Sequence, residues 1–111
     1  MTTIAKAAFK TRVREWAQKL DVQVVWLGMR PMRHKWASCS TKGHLNFSVD
    51  LLTLDQALWD YVIVHELLHF SIPNHGRLWK SLMRAHLGDW EKAEEQLKRL
   101  AGSLHSLHPT P

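Results

Sequence analysis

The segment His65-Glu66-Leu67-Leu68-His69 has the pattern H-E-x-x-H, in which each residue has a separate physical duty. Four residues advance an α-helix by about 400°, so both imidazoles lie on one face and can reach a single ion at about 2.0–2.1 Å. Glu66 follows His65 and is rotated about 100° around the helix. There its carboxylate can approach an activated water rather than the metal, which suits a general base that later acts as acid. Two core histidines with no shared task would both have to be buried neutral and hydrogen-bonded, a costly arrangement to make twice. The spacing therefore points to a metal-assisted hydrolase, with zinc as the ion.

A catalytic zinc takes three protein ligands and keeps one position open. His75 is the expected third ligand: it follows a chain reversal forced by Ile72-Pro73, so it can fold back onto the helix from a loop. Glu94, His86 and His34 compete for the role without that loop geometry. The spacing from His65 to His75 equals that of the H-E-x-x-H-x-x-G-x-x-H metzincins. Ile72 stands where their glycine would be, and Met83 falls inside a predicted helix rather than a methionine turn, which argues against that group.

Positioning these residues requires a rigid, buried helix, and Leu54, Ala57, Leu58, Tyr61, Val62, His65, Leu68 and His69 recur at helical spacing. Asp50 or Thr53 is the expected cap, and the helix should end before Pro73. Ahead of it, residues 4–20 read as an amphipathic helix with Ile4, Ala7, Ala8, Val13, Trp16, Ala17 and Leu20 inward and a basic face of Lys6, Lys10, Arg12, Arg14 and Lys19. Residues 22–27 suit a strand closed by Gly28, and residues 34–40 a second extended run. Thr41-Lys42-Gly43 supplies a turn into a third strand, in which Leu45, Phe47 and Val49 alternate with polar residues. Residues 78–87 and 90–101 read as two closing helices separated by Gly88-Asp89. On the last, Glu91, Glu94 and Glu95 face Lys98 and Arg99 as on a solvent-exposed surface. The predicted domain spans residues 1–103, with 104–111 as a mobile tail.

Composition sets the outer bounds. A chain of 111 residues, 45% hydrophobic, has room for one core, and six tryptophans are many for that size, so some should line a groove. The single cysteine cannot form an internal disulfide, and no N-terminal secretion signal is visible, so the expected compartment is the cytoplasm. The longest apolar stretch, residues 61–64, is far below the roughly 20 residues of a membrane span, which excludes a membrane partner. A net charge of +5 permits nucleic acid or nucleotide as a partner through the basic surface, without selecting it over a merely soluble surface.

Three segments together resemble the YgjP-like metallopeptidase domain family, a cytoplasmic group related in pattern to the SprT-like proteases. They are Met32-Arg33-His34-Lys35-Trp36-Ala37-Ser38-Cys39-Ser40, Tyr61-Val62-Ile63-Val64-His65-Glu66-Leu67-Leu68-His69, and Asn74-His75-Gly76-Arg77-Leu78-Trp79. The resemblance spans residues 22–87. It implies that His65, His69 and His75 bind zinc and that Glu66 is the catalytic residue. Such proteins usually read W-G-S-C where this chain has Trp36-Ala37-Ser38-Cys39, so Ala37 adds a methyl group beside the expected substrate strand. Many also carry a further N-terminal half that this chain lacks, which implies that substrate recognition differs here or is supplied by a partner.

The expected fold is an α+β, zincin-like single domain: a basic N-terminal helix, a small antiparallel sheet of three strands, the H-E-x-x-H helix and two closing helices. The expected activity is peptide hydrolysis by a zinc-activated water with Glu66 as base, on a peptide or protein substrate. Trp36 and Ser38, with Arg33 and Lys35 from a cationic rim that also holds Arg30 and Lys42, are the expected substrate contacts. Arg77, Lys80 and Arg84 form a second basic strip. Cys39 could reach the zinc but more readily fills a small buried strand position. The alternatives are hydrolysis of a nucleotide or phosphoanhydride held by the cationic rim, and a DNA-associated or protein-binding module with a structural zinc. The intact Glu66 argues against the last, since a structural site needs no base.

Overall fold

The computed structural model describes residues 2–32, 35–40 and 42–101; Arg33, His34, Thr41 and the expected tail 104–111 lie outside the described residues. Helix α2 (Gln56–Leu68) is the centre of the fold. From Leu58 to Leu68 every residue except Asp60 is buried, so the helix must be covered on all sides. A 3-10 helix, Val49–Thr53, leads into it, and its cap is Ser48, whose hydroxyl accepts the Asp50 N–H at 3.2 Å. Asp50 and Thr53 therefore belong to that turn and do not cap α2. Asp55 occupies the N-cap position in extended conformation, without a side-chain bond to the helix. The indole N–H of Trp59 donates to the Leu51 carbonyl at 2.5 Å and fastens the turn to α2.

Helix α1 (Thr2–Leu20) covers one side of α2. It presents Phe9, Val13 and Ala17, spaced by four, at 0%, 0% and 6% exposure. Ile4, Ala7 and Ala8, expected on the inner face, are exposed. Phe9 sets the inward row, meeting Phe47 and Trp59 edge to face at centroid distances of 5.0 and 5.1 Å. Arg12 leaves the basic face: its guanidinium donates to both oxygens of Asp60 at 2.5 and 2.7 Å, and the Trp16 indole donates to the same carboxylate at 2.8 Å. Asp60, the half-buried exception on α2, is thus the polar fastening for α1.

Strands β1 (Trp26–Arg30), β2 (Ala37–Cys39) and β3 (His44–Ser48) form one sheet in the order β1-β3-β2. The β2–β3 hairpin is antiparallel, with Ala37 opposite Phe47 and Cys39 opposite Leu45. Its turn needs Gly43, which sits at φ +88° with a Val25 methyl 2.9 Å from where a Cβ would lie. β1 pairs with β3 in parallel, Leu27 beside Leu45 and Met29 beside Phe47, so the sheet is mixed rather than antiparallel. The physical reason is topological: β2 takes the far edge, and the hairpin returns β3 to the middle, running in the direction of β1. β1 also passes through Gly28 instead of ending there. A Cβ at Gly28 would stand 2.3 Å from the Trp26 ring, so the glycine lets that ring lie across the strand.

Helices α3 (Arg77–Leu87) and α4 (Trp90–Ala101) close the other side of α2, placing Trp79, Met83, Trp90 and Leu97 in the core. Gly88, at φ +68°, separates them. The result is an α+β fold of four helices and a three-stranded mixed sheet. Among the described residues no helix is long and apolar enough to cross a membrane.

Candidate metal centre

His65 projects from the last turn of α2, where only 2% of its surface is exposed. His69 is the C-cap of the same helix and keeps helical dihedrals, φ −69° and ψ −12°, so the one-turn offset from His65 survives the end of regular hydrogen bonding. The chain then turns through Ile72-Pro73 and comes back. His75 enters from that loop, just ahead of Gly76, whose N–H is held by the Asn74 side chain at 2.9 Å. Its Nε2 lies 2.7 Å from Nε2 of His69 and 3.1 Å from Nε2 of His65. Ligand atoms of all three residues fall within 4.8 Å of one another. For a tetrahedral ion at 2.0–2.1 Å, ligand nitrogens stand roughly 3.3 Å apart; the His75–His65 pair is near that spacing and the His75–His69 pair is shorter, and the three imidazoles are a donor set suited to a small divalent cation such as zinc.

The surroundings orient the rings. Nδ1 of His69 is 2.9 Å from the Ile72 carbonyl, which can only accept, so Nδ1 carries the proton and Nε2 offers its lone pair inward. Trp79, in the first turn of α3, flanks all three imidazoles, with ring centroids 5.1 Å from His65, 5.9 Å from His69 and 4.5 Å from His75. On the opposite side Nδ1 of His65 meets the Tyr61 hydroxyl at 3.3 Å, and that hydroxyl donates to Glu94 of α4 at 2.9 Å. Burial first, and the neighbouring Glu94 carboxylate second, push the Tyr61 phenol upward, so it keeps its proton.

Glu66, next in sequence to His65, is 1% exposed. On β2, burial first and then the influence of the nearby Glu66 carboxylate push the Cys39 thiol up to about 12, against a smaller opposing effect of Lys35. The Cys39 thiol therefore keeps its proton, and it is not one of the side chains whose ligand atoms converge. β2 packs against α2, the helix that carries His65 and Glu66.

The other residues singled out in the sequence are dispersed. Trp36 is 4% exposed and packs in the core instead of lining a groove; its carbonyl accepts the Ser48 N–H at 2.8 Å. Ala37 is also buried, opposite Phe47, so its methyl fills core volume. Ser38 and Lys35 are half-buried on or next to β2, while Arg33 lies outside the described residues. Arg30 and Lys42 are exposed. Arg77, Lys80 and Arg84 line a shallow groove on the outer surface of α3, and Arg84 is paired with Glu91 at 2.8 Å. Of the competing third ligands, Glu94 reaches the centre only through Tyr61, and His86 meets the Trp16 ring at 6.1 Å. His34 lies outside the described residues. Sequence reasoning gave no role to Tyr61 or Trp79 around the histidines. The available signal was spacing: Tyr61 stands four residues before His65, and Trp79 four after His75.

Residues 1–100 match the family described as YgjP-like, metallopeptidase domain. Among solved structures the chain is similar to the metallopeptidase zymogen jannalysin of Methanocaldococcus jannaschii, with 30% identity and a TM-score of 0.72 over 86% of this chain and 97% of that one. It shares its fold with the metallopeptidase zymogen abylysin of Pyrococcus abyssi, at 19% identity and a TM-score of 0.70 over 83% of this chain and 93% of that one. No curated protein matches the sequence. The extent of the family match and the identity to jannalysin together show that this chain belongs to the YgjP-like metallopeptidase domain family.

Proposed function

We propose that the chain is a zinc-dependent peptidase in which His65, His69 and His75 hold the ion and Glu66 is the general base and then the general acid. The observation that carries this reading is the convergence of three imidazole nitrogens next to a buried glutamate that sits one residue after the first of them. Three neutral imidazoles are a donor set suited to zinc, and they leave a position open for chemistry. A zinc ion bound there supplies Lewis-acid polarisation of the scissile carbonyl and a water acidified to a pKa of about 7. Glu66 takes the proton of the attacking water and delivers it to the leaving amine nitrogen, which completes cleavage of the C–N bond. β2 pairs with β3 along one side only among the described residues, so an extended substrate can add to its other edge and run past Glu66. Ser38 and Lys35 belong to that edge.

The test is Glu66→Gln, assayed after zinc loading on a denatured protein and on a mixture of fluorogenic peptides. The variant is expected to retain zinc and fold while turnover drops by about 10²–10⁴, the usual contribution of a positioned base. Undiminished turnover on a substrate that the parent cleaves would show that Glu66 is not the base.

A further inference from the structure

His65 is held by a chain of hydrogen bonds that runs away from the site, across α2 and into α4. Its Nδ1 lies 3.3 Å from the Tyr61 hydroxyl, and the Tyr61 hydroxyl lies 2.9 Å from a carboxylate oxygen of Glu94. A phenol has one proton, and a carboxylate can only accept, so that proton is committed to Glu94. The Tyr61 oxygen is then left as an acceptor, and the hydrogen of its contact with His65 must come from Nδ1. A neutral imidazole that donates through Nδ1 carries its lone pair on Nε2, the atom that stands 3.1 Å from His75 Nε2. The elements fix this order. Tyr61 is one turn before His65 on the same face of α2, its ring meets His65 edge-on at 5.6 Å and stacks at 8° with Trp90 of α4, and it is 1% exposed. Glu94 is kept on the Tyr61 side while Lys98, one turn later, stands 3.6 Å from its other oxygen.

We propose that Tyr61 and Glu94 are positioning residues of the metal centre, which lock His65 in the Nδ1–H tautomer and so let α4 set how tightly the three histidines bind zinc. This rests on the assignment of those histidines as ligands. Glu94 acts through Tyr61 and does not touch the metal. The arrangement is the outer support that a ligating imidazole needs, and its loss weakens metal affinity by about 10–100-fold in comparable sites.

Two readouts test it without any substrate. In metal-free protein labelled with ¹⁵N-histidine, long-range ¹H–¹⁵N NMR is expected to show the His65 proton on Nδ1 in the parent. In Tyr61→Phe it should shift toward Nε2, the usual preference of a free imidazole. Zinc affinity, measured by competition with a chromophoric chelator, is expected to fall about 10–100-fold in Tyr61→Phe. Glu94→Gln, placed at the half-buried end of the chain and therefore tolerant of substitution, should fall in the same direction. If the two residues act as one relay, the double variant should bind no more weakly than Tyr61→Phe alone. A His65 that stays protonated on Nδ1 in Tyr61→Phe, or unchanged zinc affinity in both single variants, would overturn the proposal. Parent protein that shows the tautomer lock but binds no zinc would instead overturn the assignment of the histidines as ligands.

Discussion

Burial of the Cys39 thiol near the Glu66 carboxylate makes a quantitative prediction about its reactivity. Only the thiolate attacks an alkylating reagent. A free cysteine with a pKa near 8.5 is roughly one quarter ionised at pH 8. With the thiol pushed up to about 12, the ionised fraction at pH 8 is about one in ten thousand. Alkylation of metal-free protein by iodoacetamide at pH 8 should therefore run about three orders of magnitude slower than that of a small-molecule thiol. Burial is the largest cause of the shift and survives substitution of the carboxylate, so Glu66→Gln should recover only part of the rate, roughly tenfold. The sign extends to stability. The folded thiol holds its proton to higher pH than the unfolded chain does, so this contribution is complete below about pH 8.5. It is lost as the pH rises toward about 12. The assay is mass spectrometry of the single cysteine over time. Alkylation within tenfold of the free-thiol rate would refute the burial argument, and an identical rate in Glu66→Gln would refute the influence of the carboxylate on the thiol.

Two further predictions concern the frame and the loop. Phe9→Ala removes a fully buried ring that meets both Phe47 and Trp59, and should cost about 3–5 kcal/mol in urea unfolding; a loss below about 1 kcal/mol would mean that α1 does not brace α2 through this residue. His75→Ala leaves His65 and His69 correctly placed on α2 but opens the site, so zinc should be lost to a mild chelator that the parent resists; equal resistance in both proteins would exclude His75 as a ligand.

The parts of the structure legible in the sequence are those decided locally. The H-E-x-x-H spacing, the turn at Gly43 and the bounds of α4 each depend on residues close together in the chain. Parallel pairing of β1 with β3 was not legible, because alternation of apolar residues identifies a buried face without giving strand direction. Phe9 was missed because several alanines offered a competing inward face, and only the packed neighbours Phe47 and Trp59 decide between them. Apolarity likewise cannot separate a tryptophan in the core from one in a groove: Trp36, expected to contact substrate, is 4% exposed. In the sequence Glu94 is a member of a solvated charge row and a competing third ligand; its bond to Tyr61 joins residues 33 positions apart and exists only once α4 packs on α2. In the same way Cys39 comes under the influence of Glu66 only once β2 packs against α2.

The most direct test of the metal centre is elemental analysis of the purified protein, alongside His65→Ala and His69→Ala, after equilibration with zinc and removal of loosely bound ion. The expected result is about one zinc per chain in the parent and none in either variant, since loss of one of three ligands leaves an open, weak site. Full zinc retention in both variants, or a parent that binds none, would contradict the assignment of these histidines.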